Sequence, residues 1–174
     1  MDSQSQNLCQ NCKGKVDSQN QPQYETMSKN VSPNLTTDAV VLRKHNTDIE
    51  ILLIKRANEP FKNYLALPGG FVDYNEDPAE GCLRELKEEC NLVGEKIEFL
   101  TVRSNPNRDP RKHIVSIVYL VNVDEKSEPK AGDDAKDAKF YNFNEIMNNK
   151  EMIAFDHYDI LKELCQKKFS NKFI

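Results

Sequence analysis

The chain has 174 residues and a formal net charge of −4, with 38% apolar and 30% charged residues. This length fits one domain of ordinary size. A negative net charge provides no overall basic field for nucleic acid or an anionic membrane. No apolar run approaches the roughly eighteen residues that a membrane-spanning helix needs. We therefore expect neither a nucleic-acid partner nor a membrane span.

Residues 1–34 are rich in Gln, Asn and Ser and show no apolar periodicity. They predict an extension that is disordered or ordered by a partner, followed by a folded domain over residues 35–170. Cys9 and Cys12 form a C-x-x-C pair, which is half of a zinc ribbon, whereas zinc needs four ligands. Free thiols are the favoured interpretation, and a metal shared with a partner is the alternative.

The N-terminus lacks an apolar signal segment, and the five cysteines are an odd number. These features predict reduced thiols and a cytoplasmic location. The alternative location is the mitochondrial matrix, reached without an obvious cleaved presequence.

From residue 36 the pattern becomes that of strands and helices. The segments "TDAVVLRK" and "IEILLIKRA" predict two strands separated by the turn "HNTD", and "LALPGGFV" is a short apolar stretch interrupted by Pro68 and two glycines. A helix is expected at about 78–90. Two strands, "IEFLTVRS" and "HIVSIVYLVNV", flank the polar "NPNRDPRK". A loop at "KSEPKAGDDAKD", a strand at "AKFYNF" and a closing helix from Asp156 complete a predicted α/β/α sandwich with a mixed sheet.

The predicted helix at 78–90 has clear start signals and an apolar face. Asp77 suits the N-cap position, and Pro78 suits the first helical position. One stripe at about 100° per residue is apolar and should face the core. It consists of Ala79, Cys82, Leu83, Leu86 and Cys90.

A second face of this helix concentrates three carboxylates. With Glu85 set at 0°, Glu89 lies at about +40° and Glu88 at about −60°. A solvated acidic face is the simplest interpretation, because repulsion between such charges costs only a few tenths of a kcal/mol. The preceding Gly69-Gly70 turn favours a ligand site, since hard carboxylate oxygens beside an accessible backbone suit Mg²⁺ or Mn²⁺.

The turn and the helix together follow the pattern G-x5-E-x7-R-E-L-x-E-E-x-N-L from residue 70 to residue 92. This pattern resembles the Nudix box, with Asn91 where the family has glycine. Asn also tolerates the left-handed conformation expected at a helix C-terminus. The segments "LPGGFVDYNED", "SNPNRDPRKHIVSIVYL" and "IAFDHYDILKEL" are similar to the ADP-ribose pyrophosphatase branch of that family. The resemblance covers residues 35 to about 168 and implies a Nudix-type α/β/α sandwich.

The resemblance implies an enzyme that hydrolyses the pyrophosphate bond of a nucleoside diphosphate linked to another moiety. The expected reaction converts ADP-ribose to AMP and ribose 5-phosphate with Mg²⁺ or Mn²⁺. The implied metal site uses Glu85, Glu88, Glu89 and the Gly70 carbonyl, while Arg84 orients the glutamates. The general base remains open between Glu85 and an acid in the later loop, Asp133 or Asp134.

Substrate-binding candidates lie outside the box. Arg103, Arg108 and Arg111 surround "NPNRDP" and could bind phosphates or the terminal ribose, or they could form a charged hairpin tip. Phe61 could stack on a base or belong to the core. His157 is interpreted as a first-turn helix residue rather than a ligand.

Two other functions are compatible with the sequence. The same chemistry could act on NADH, a nucleoside triphosphate or a sugar nucleotide. Alternatively, the domain could be a scaffold or accessory subunit of a larger complex, with a protein partner bound through the N-terminal segment. The resemblance to this branch is also compatible with a homodimer.

Overall fold

The computed structural model describes residues 32–132 and 135–170, with side chains up to residue 166. The predicted extension therefore lies outside the described residues except for its last three positions, and so do Cys9, Cys12, Asp133 and Asp134. The described part contains the following elements: β1 (Asn34–Val40), β2 (Leu42–His45), β3 (Asp48–Arg56), β4 (Leu65–Ala66), β5 (Gly69–Phe71), α1 (Pro78–Cys90), β6 (Gly94–Arg103), β7 (Ile114–Val123), β8 (Ala135–Asn142), α2 (Phe143–Met147) and α3 (His157–Ser170). A single 3-10 turn, Lys150–Met152, lies between α2 and α3.

The strands form two sheets, one of which is the mixed sheet that we expected. The first sheet is mixed and has the order β5-β1-β7-β6, in which β1 and β7 are parallel and the other pairs are antiparallel. The second sheet is antiparallel, with β3 pairing with β2, β4 and β8. The chain passes from one sheet to the other at Val41, whose carbonyl accepts a hydrogen bond from the Leu52 N–H at 3.0 Å.

Two buried apolar clusters lie on opposite faces of β3, because successive strand residues point to opposite sides. Leu52 and Ile54 join the cluster that includes Cys82, Leu86 and Cys90 of α1. Ile51 and Leu53 join the other cluster, which contains residues of α2 and α3, namely Phe143, Ile146, Ile160, Leu161 and Leu164. The α/β class and the α/β/α sandwich are therefore confirmed.

Helix α1 has the predicted bounds and both predicted ends. The Asp77 carboxylate accepts a hydrogen bond from the Ala79 N–H at 2.8 Å, and Pro78 is the first helical residue. Asn91 has the left-handed φ of 55° that its place at the helix end requires, and its N–H donates to the Lys87 carbonyl. These caps fix where the helix begins and ends, and hence which turn carries each glutamate.

The C-terminal end of α1 also receives a loop that sequence patterns do not locate. The N–H groups of Lys130 and Gly132 donate to the carbonyls of Cys90 and Glu89, each at 2.9 Å. A Cβ at Gly132 would overlap the Glu88 carbonyl, so only glycine fits this close approach. This loop supplies donors to helix carbonyls that have no partner within the helix.

The short helix α2 was missed by the sequence analysis. It has five residues, too few for an apolar period to be recognised. Asn142 ends β8 and also caps α2, because its side chain accepts hydrogen bonds from the N–H groups of Asn144 and Glu145. Within residues 32–132 and 135–170, no helix has both the length and the apolar character that crossing a membrane requires.

Candidate active site

A cavity of about 370 Å³ opens between the N-terminal strands, α1 and the segment before α3. Its charged lining includes two groups. We call Glu85 and Glu89 the acidic wall, and Arg56, Arg108 and Arg111 the basic wall. Asp38 lines the cavity as well. Phe155 and His157 also line the cavity.

The acidic wall is built by α1 and the Pro68-Gly69-Gly70 turn. Glu85 and Glu89 are one helical turn apart and therefore project from the same face. The Gly69 N–H donates to Glu89 Oε2 at 2.9 Å. A Cβ at Gly70 would overlap the Glu85 carboxylate, so the backbone of the turn lies directly against this side chain. The two glycines thus allow backbone and carboxylates to share one narrow space.

Burial makes the acidic wall unfavourable for unneutralised charge. Desolvation raises the pKa of Glu89 to about 8, and the nearby charges of Glu85 and Asp38 add to the rise. Desolvation also raises the pKa of Glu85, although the hydrogen bond from Arg84 opposes it. Two carboxylates with raised pKa values in one cavity are a donor set that a divalent cation would stabilise.

Arg84 relieves the repulsion among the glutamates. Its guanidinium donates to both carboxylate oxygens of Glu76, at 2.7 and 2.9 Å, and to Glu85 at 2.7 Å. This pairing lowers the pKa of Glu76 to about 2. Arg84 also donates to Glu88 at 3.2 Å and to the Phe71 carbonyl at 3.0 Å. The arrangement holds Glu85 beside the turn and explains how α1 tolerates its crowded acidic face.

The basic wall and the neighbouring Phe155 come from three distant segments. Arg56 ends β3, and its Nε donates to the Pro60 carbonyl at 2.9 Å. Arg111 forms two hydrogen bonds with Asp109, at 3.0 and 2.7 Å. The guanidinium carbons of Arg56 and Arg111 lie 4.9 and 5.7 Å from the centre of the Phe155 ring. Desolvation and the neighbouring Arg111 charge lower the pKa of Arg56.

This arrangement agrees with comparisons to known proteins. The NUDIX domain family matches residues 33–164. The chain belongs to the NUDIX family. It is 44% identical over 136 residues to an ADP-ribose pyrophosphatase of Methanocaldococcus jannaschii, an alignment covering 78% of this chain and 75% of that protein. The predicted membership of the Nudix family is confirmed.

Two further relatives are an ADPR responsive repressor and a domain solved with ADP ribose. The chain is 31% identical over 134 residues to the ADPR responsive transcriptional repressor NtrR of Acinetobacter baylyi, and this match spans 76% of the chain but 53% of the repressor. The solved NUDIX domain of Shewanella oneidensis NrtR complexed with ADP ribose superimposes with a TM-score of 0.71 at 28% identity. That superposition covers 78% of this chain and 88% of the other.

Not every predicted residue of this NUDIX domain reaches the cavity. Gly70, Arg84, Glu85 and Glu89 line it, as do Arg108 and Arg111. Glu88 does not line it, since its side chain is 58% exposed and binds Arg84. Among residues 32–132 and 135–170, no three His, Cys, Asp or Glu side chains converge as a metal-binding group. Glu85 and Glu89 are the two glutamates of the box that lie beside the turn.

Two of the predicted substrate-binding residues lie elsewhere. Arg103 pairs with Glu163 of α3 at 3.0 Å and borders a separate surface groove. Phe61 does not line the cavity but contacts the Phe155 ring edge-on, with ring centres 4.8 Å apart. Strand β6 ends at Arg103, and this position directs the side chain toward α3 instead of the cavity. Asp134, a predicted candidate for the general base, is outside the described residues.

Several cavity residues were missed by the sequence analysis. Phe155 has a left-handed φ of 53°, a costly conformation for a bulky residue that recurs at functional sites. Asp38 is buried in β1, and a charged residue inside the apolar run "TDAVVL" was the signal that could have identified it. Arg56 carried no such signal, because arginine is ordinary at a strand end.

His157 is the first residue of α3, as predicted, but it is also buried beneath the cavity. Its Nδ1 accepts a hydrogen bond from the Leu67 N–H at 3.0 Å. Burial lowers the pKa of the imidazole, so the ring is neutral and carries its proton on Nε2. The histidine is therefore a buried hydrogen-bond acceptor for the strand that precedes the double-glycine turn.

Proposed function

We propose that this NUDIX protein hydrolyses the pyrophosphate bond of ADP-ribose, giving AMP and ribose 5-phosphate, and that it uses Mg²⁺ or Mn²⁺. One observation carries the proposal: the buried acidic wall and the basic wall line the same cavity. A diphosphate with its cations is complementary to this arrangement, because cations match the carboxylates and phosphate oxygens match the guanidinium groups. The names of the relatives support ADP-ribose as the substrate.

In this proposal, Glu85, Glu89 and the Gly70 carbonyl would hold the cation, and Glu88 would contribute after turning from Arg84. The chemistry supplied by such a cation would be neutralisation of phosphate oxygens and a lower pKa for water. The raised pKa of Glu89 supports the fit, because a buried carboxylate is most stable beside a positive charge. Arg84 keeps Glu85 oriented and does not touch the substrate.

The remaining roles concern binding and proton transfer. Arg56 and Arg111 donate hydrogen bonds to the diphosphate, and Phe155 holds both guanidinium groups from one side. The attacking water must transfer a proton to a carboxylate, for which the cavity offers Glu85. Asp134 is the other candidate acceptor. The substrate is a small-molecule nucleotide, and the net charge of −4 argues against nucleic acid as the ligand.

The decisive experiment identifies products from ADP-ribose incubated with the full chain and Mg²⁺, followed by chromatography for AMP and ribose 5-phosphate. NADH, a nucleoside triphosphate and a sugar nucleotide are assayed in parallel, and a chelator provides the metal-free control. We expect ADP-ribose to have the highest kcat/KM. A higher value for a nucleoside triphosphate would overturn the substrate assignment. Binding of ADP-ribose without products would favour a ligand-binding role over catalysis.

A further inference from the structure

A network of buried polar side chains lies beneath the cavity and joins its two walls. It consists of Asp38 from β1, Ser116 from β7, His157 from α3, and the ion pair of Arg108 with Asp156. The catalytic roles above leave Asp38, Ser116 and His157 unused. Buried polar groups are costly unless they are paired, so their presence under a reactive cavity calls for a specific role.

Asp38 supports the double-glycine turn from below. Its residue is 7% exposed, and its carboxylate accepts a hydrogen bond from the Ser116 hydroxyl. Asp38 is the register partner of Gly69 in the β1–β5 pair. A Cβ at Gly69 would lie 2.8 Å from Asp38 Oδ1, so the carboxylate lies directly against the turn. Gly69 is also the residue whose N–H donates to Glu89.

His157 holds the chain just before that turn. Its Nδ1 binds the Leu67 N–H, and its protonated Nε2 lies 3.6 Å from Asp38 Oδ1. Two backbone hydrogen bonds reinforce this attachment, from Ala154 N–H to the Leu65 carbonyl and from Ala39 N–H to the Pro68 carbonyl, each at 2.8 Å. Leu67 and Gly69 are thus placed by the same pair of buried side chains.

The other end of the network reaches the basic wall. The Arg108 side chain is 5% exposed and donates to both oxygens of Asp156, with its shortest contact at 2.6 Å. The same guanidinium lies 3.9 Å from Asp38 Oδ2. Asp38 therefore lies between the turn that holds Glu89 and a cation of the opposite wall.

We propose that Asp38 and His157 are positioning residues that hold the Leu67–Gly69 segment so that the Gly69 N–H orients Glu89 toward the basic wall. The expected effect on turnover rests on the proposed function. The placement of the Leu67–Gly69 segment by Asp38 and His157 does not depend on it. The carboxylate of Asp38 and the imidazole of His157 act through backbone groups and do not touch the substrate. Their removal should impair cation binding and turnover more than substrate binding.

The sharpest test compares two replacements of His157. His157→Asn places an amide oxygen near the position of Nδ1 and can still accept the Leu67 N–H, whereas His157→Gln extends its amide toward the position of Nε2. We expect His157→Asn to stay within about threefold of wild type in kcat and His157→Gln to lose at least about tenfold. The KM for ADP-ribose should change by less than about threefold in both variants. Equal losses in the two would overturn the positioning role.

A second readout does not depend on hydrolysis. The dissociation constant for Mn²⁺, measured by electron paramagnetic resonance, should rise at least about threefold in His157→Gln and remain unchanged in His157→Asn. If wild type hydrolyses no ADP-ribose, the proposed function fails. The difference in Mn²⁺ affinity between His157→Gln and His157→Asn still tests the positioning role. Equal Mn²⁺ affinity in both variants and wild type would overturn it.

Asp38→Asn and Ser116→Ala extend the test to the other side of the network. Asp38→Asn should lower kcat at least about tenfold while Tm changes by less than about 5 °C, since a neutral amide relieves buried charge. Asp137→Asn, a half-buried change on β8 where the carboxylate pairs with Lys139, is the matched control and should alter neither quantity. If both His157 variants fail to fold, Ser116→Ala tests the proposal instead. We expect this variant to bind Mn²⁺ at least about threefold more weakly than wild type. Unchanged Mn²⁺ binding would overturn the proposal.

Discussion

The acidic and basic walls of the cavity face the same space but are built in different ways. Glu85 and Glu89 come from consecutive turns of one helix, and a single adjacent turn lies against both. Arg56, Arg111 and Phe155 come instead from a strand end, a long connection and the residue pair preceding α3. One wall is therefore a local structure, whereas the other exists only when three distant segments meet.

This difference has an energetic counterpart. The acidic wall accumulates unfavourable charge, shown by the raised pKa values of Glu85 and Glu89. Two cations of the basic wall are already neutralised by their own partners, since Asp109 binds Arg111 and Asp156 binds Arg108. Arg56 has no carboxylate within ion-pair distance among the described residues. The groups that gain most from a ligand are thus the two glutamates and Arg56.

The largest expected effect comes from breaking the acidic wall. Glu89→Gln keeps an oxygen for the Gly69 N–H but removes the charge, and we expect kcat for ADP-ribose hydrolysis to fall at least about a hundredfold. Glu80→Gln, an exposed change in the first turn of the same helix, should leave kcat unchanged. A Glu89→Gln enzyme with near wild-type turnover would remove this glutamate from the active site.

A smaller loss is expected from the basic wall. Arg56→Ala removes charge-assisted hydrogen bonds to the diphosphate and should lower kcat/KM by about tenfold to a hundredfold. Arg56→Lys should recover part of this loss, because it restores a point charge without the planar fork. Lys55→Ala is the matched control, since Lys55 is adjacent in β3 but lines a groove on the opposite side. Equal losses at positions 55 and 56 would contradict the assignment.

The charge imbalance of the acidic wall should be visible in the metal-free protein. The folded pKa of Glu89 is raised from 4.5 to about 8, so the folded state retains a proton that the unfolded state loses between these pH values. The stability of wild type should therefore fall as pH rises through this window, by at most about 1.4 kcal/mol per pH unit from this group.

Glu89→Gln removes this dependence, so the variant should gain stability over wild type from about pH 4.5 to about pH 8 and hold a constant advantage above that. The measurement is Tm against pH in the presence of a chelator. An advantage that does not vary with pH would show that Glu89 is not held in an unfavourable charged state.

The smallest expected effect is on stability and concerns Asn91, at the C-terminal end of α1. Asn91 has a left-handed φ of 55°, so Asn91→Ala should lower the free energy of unfolding by about 1 kcal/mol, whereas Asn91→Gly should change it by about half as much or less. Denaturant unfolding of both variants measures the difference. A stabilised Asn91→Ala protein would contradict the assigned backbone conformation.

Much of the acidic wall was predictable from the sequence because its geometry is local. The helical period alone puts Glu85 and Glu89 on one face, and the start signal Asp77-Pro78 and the end residue Asn91 fix the helix bounds. The double glycine predicted a backbone that can approach a ligand, and in the structure this backbone lies against the Asp38 and Glu85 carboxylates. Glu88 shares the same face by angle, but Arg84 draws its side chain away from the cavity.

The basic wall and the network beneath it were decided by tertiary structure. Sequence proximity suggested that Arg103 belonged with Arg108 and Arg111, but the end of β6 directs Arg103 to Glu163. Arg56 and Phe155 meet only because the segment before α3 bridges to β4, which pairs with β3. Helix periodicity depends on bonds a few residues apart, and it therefore determined the acidic face of α1. Which strand ends become neighbours depends on pairing and register between distant segments, and only the folded chain settled that.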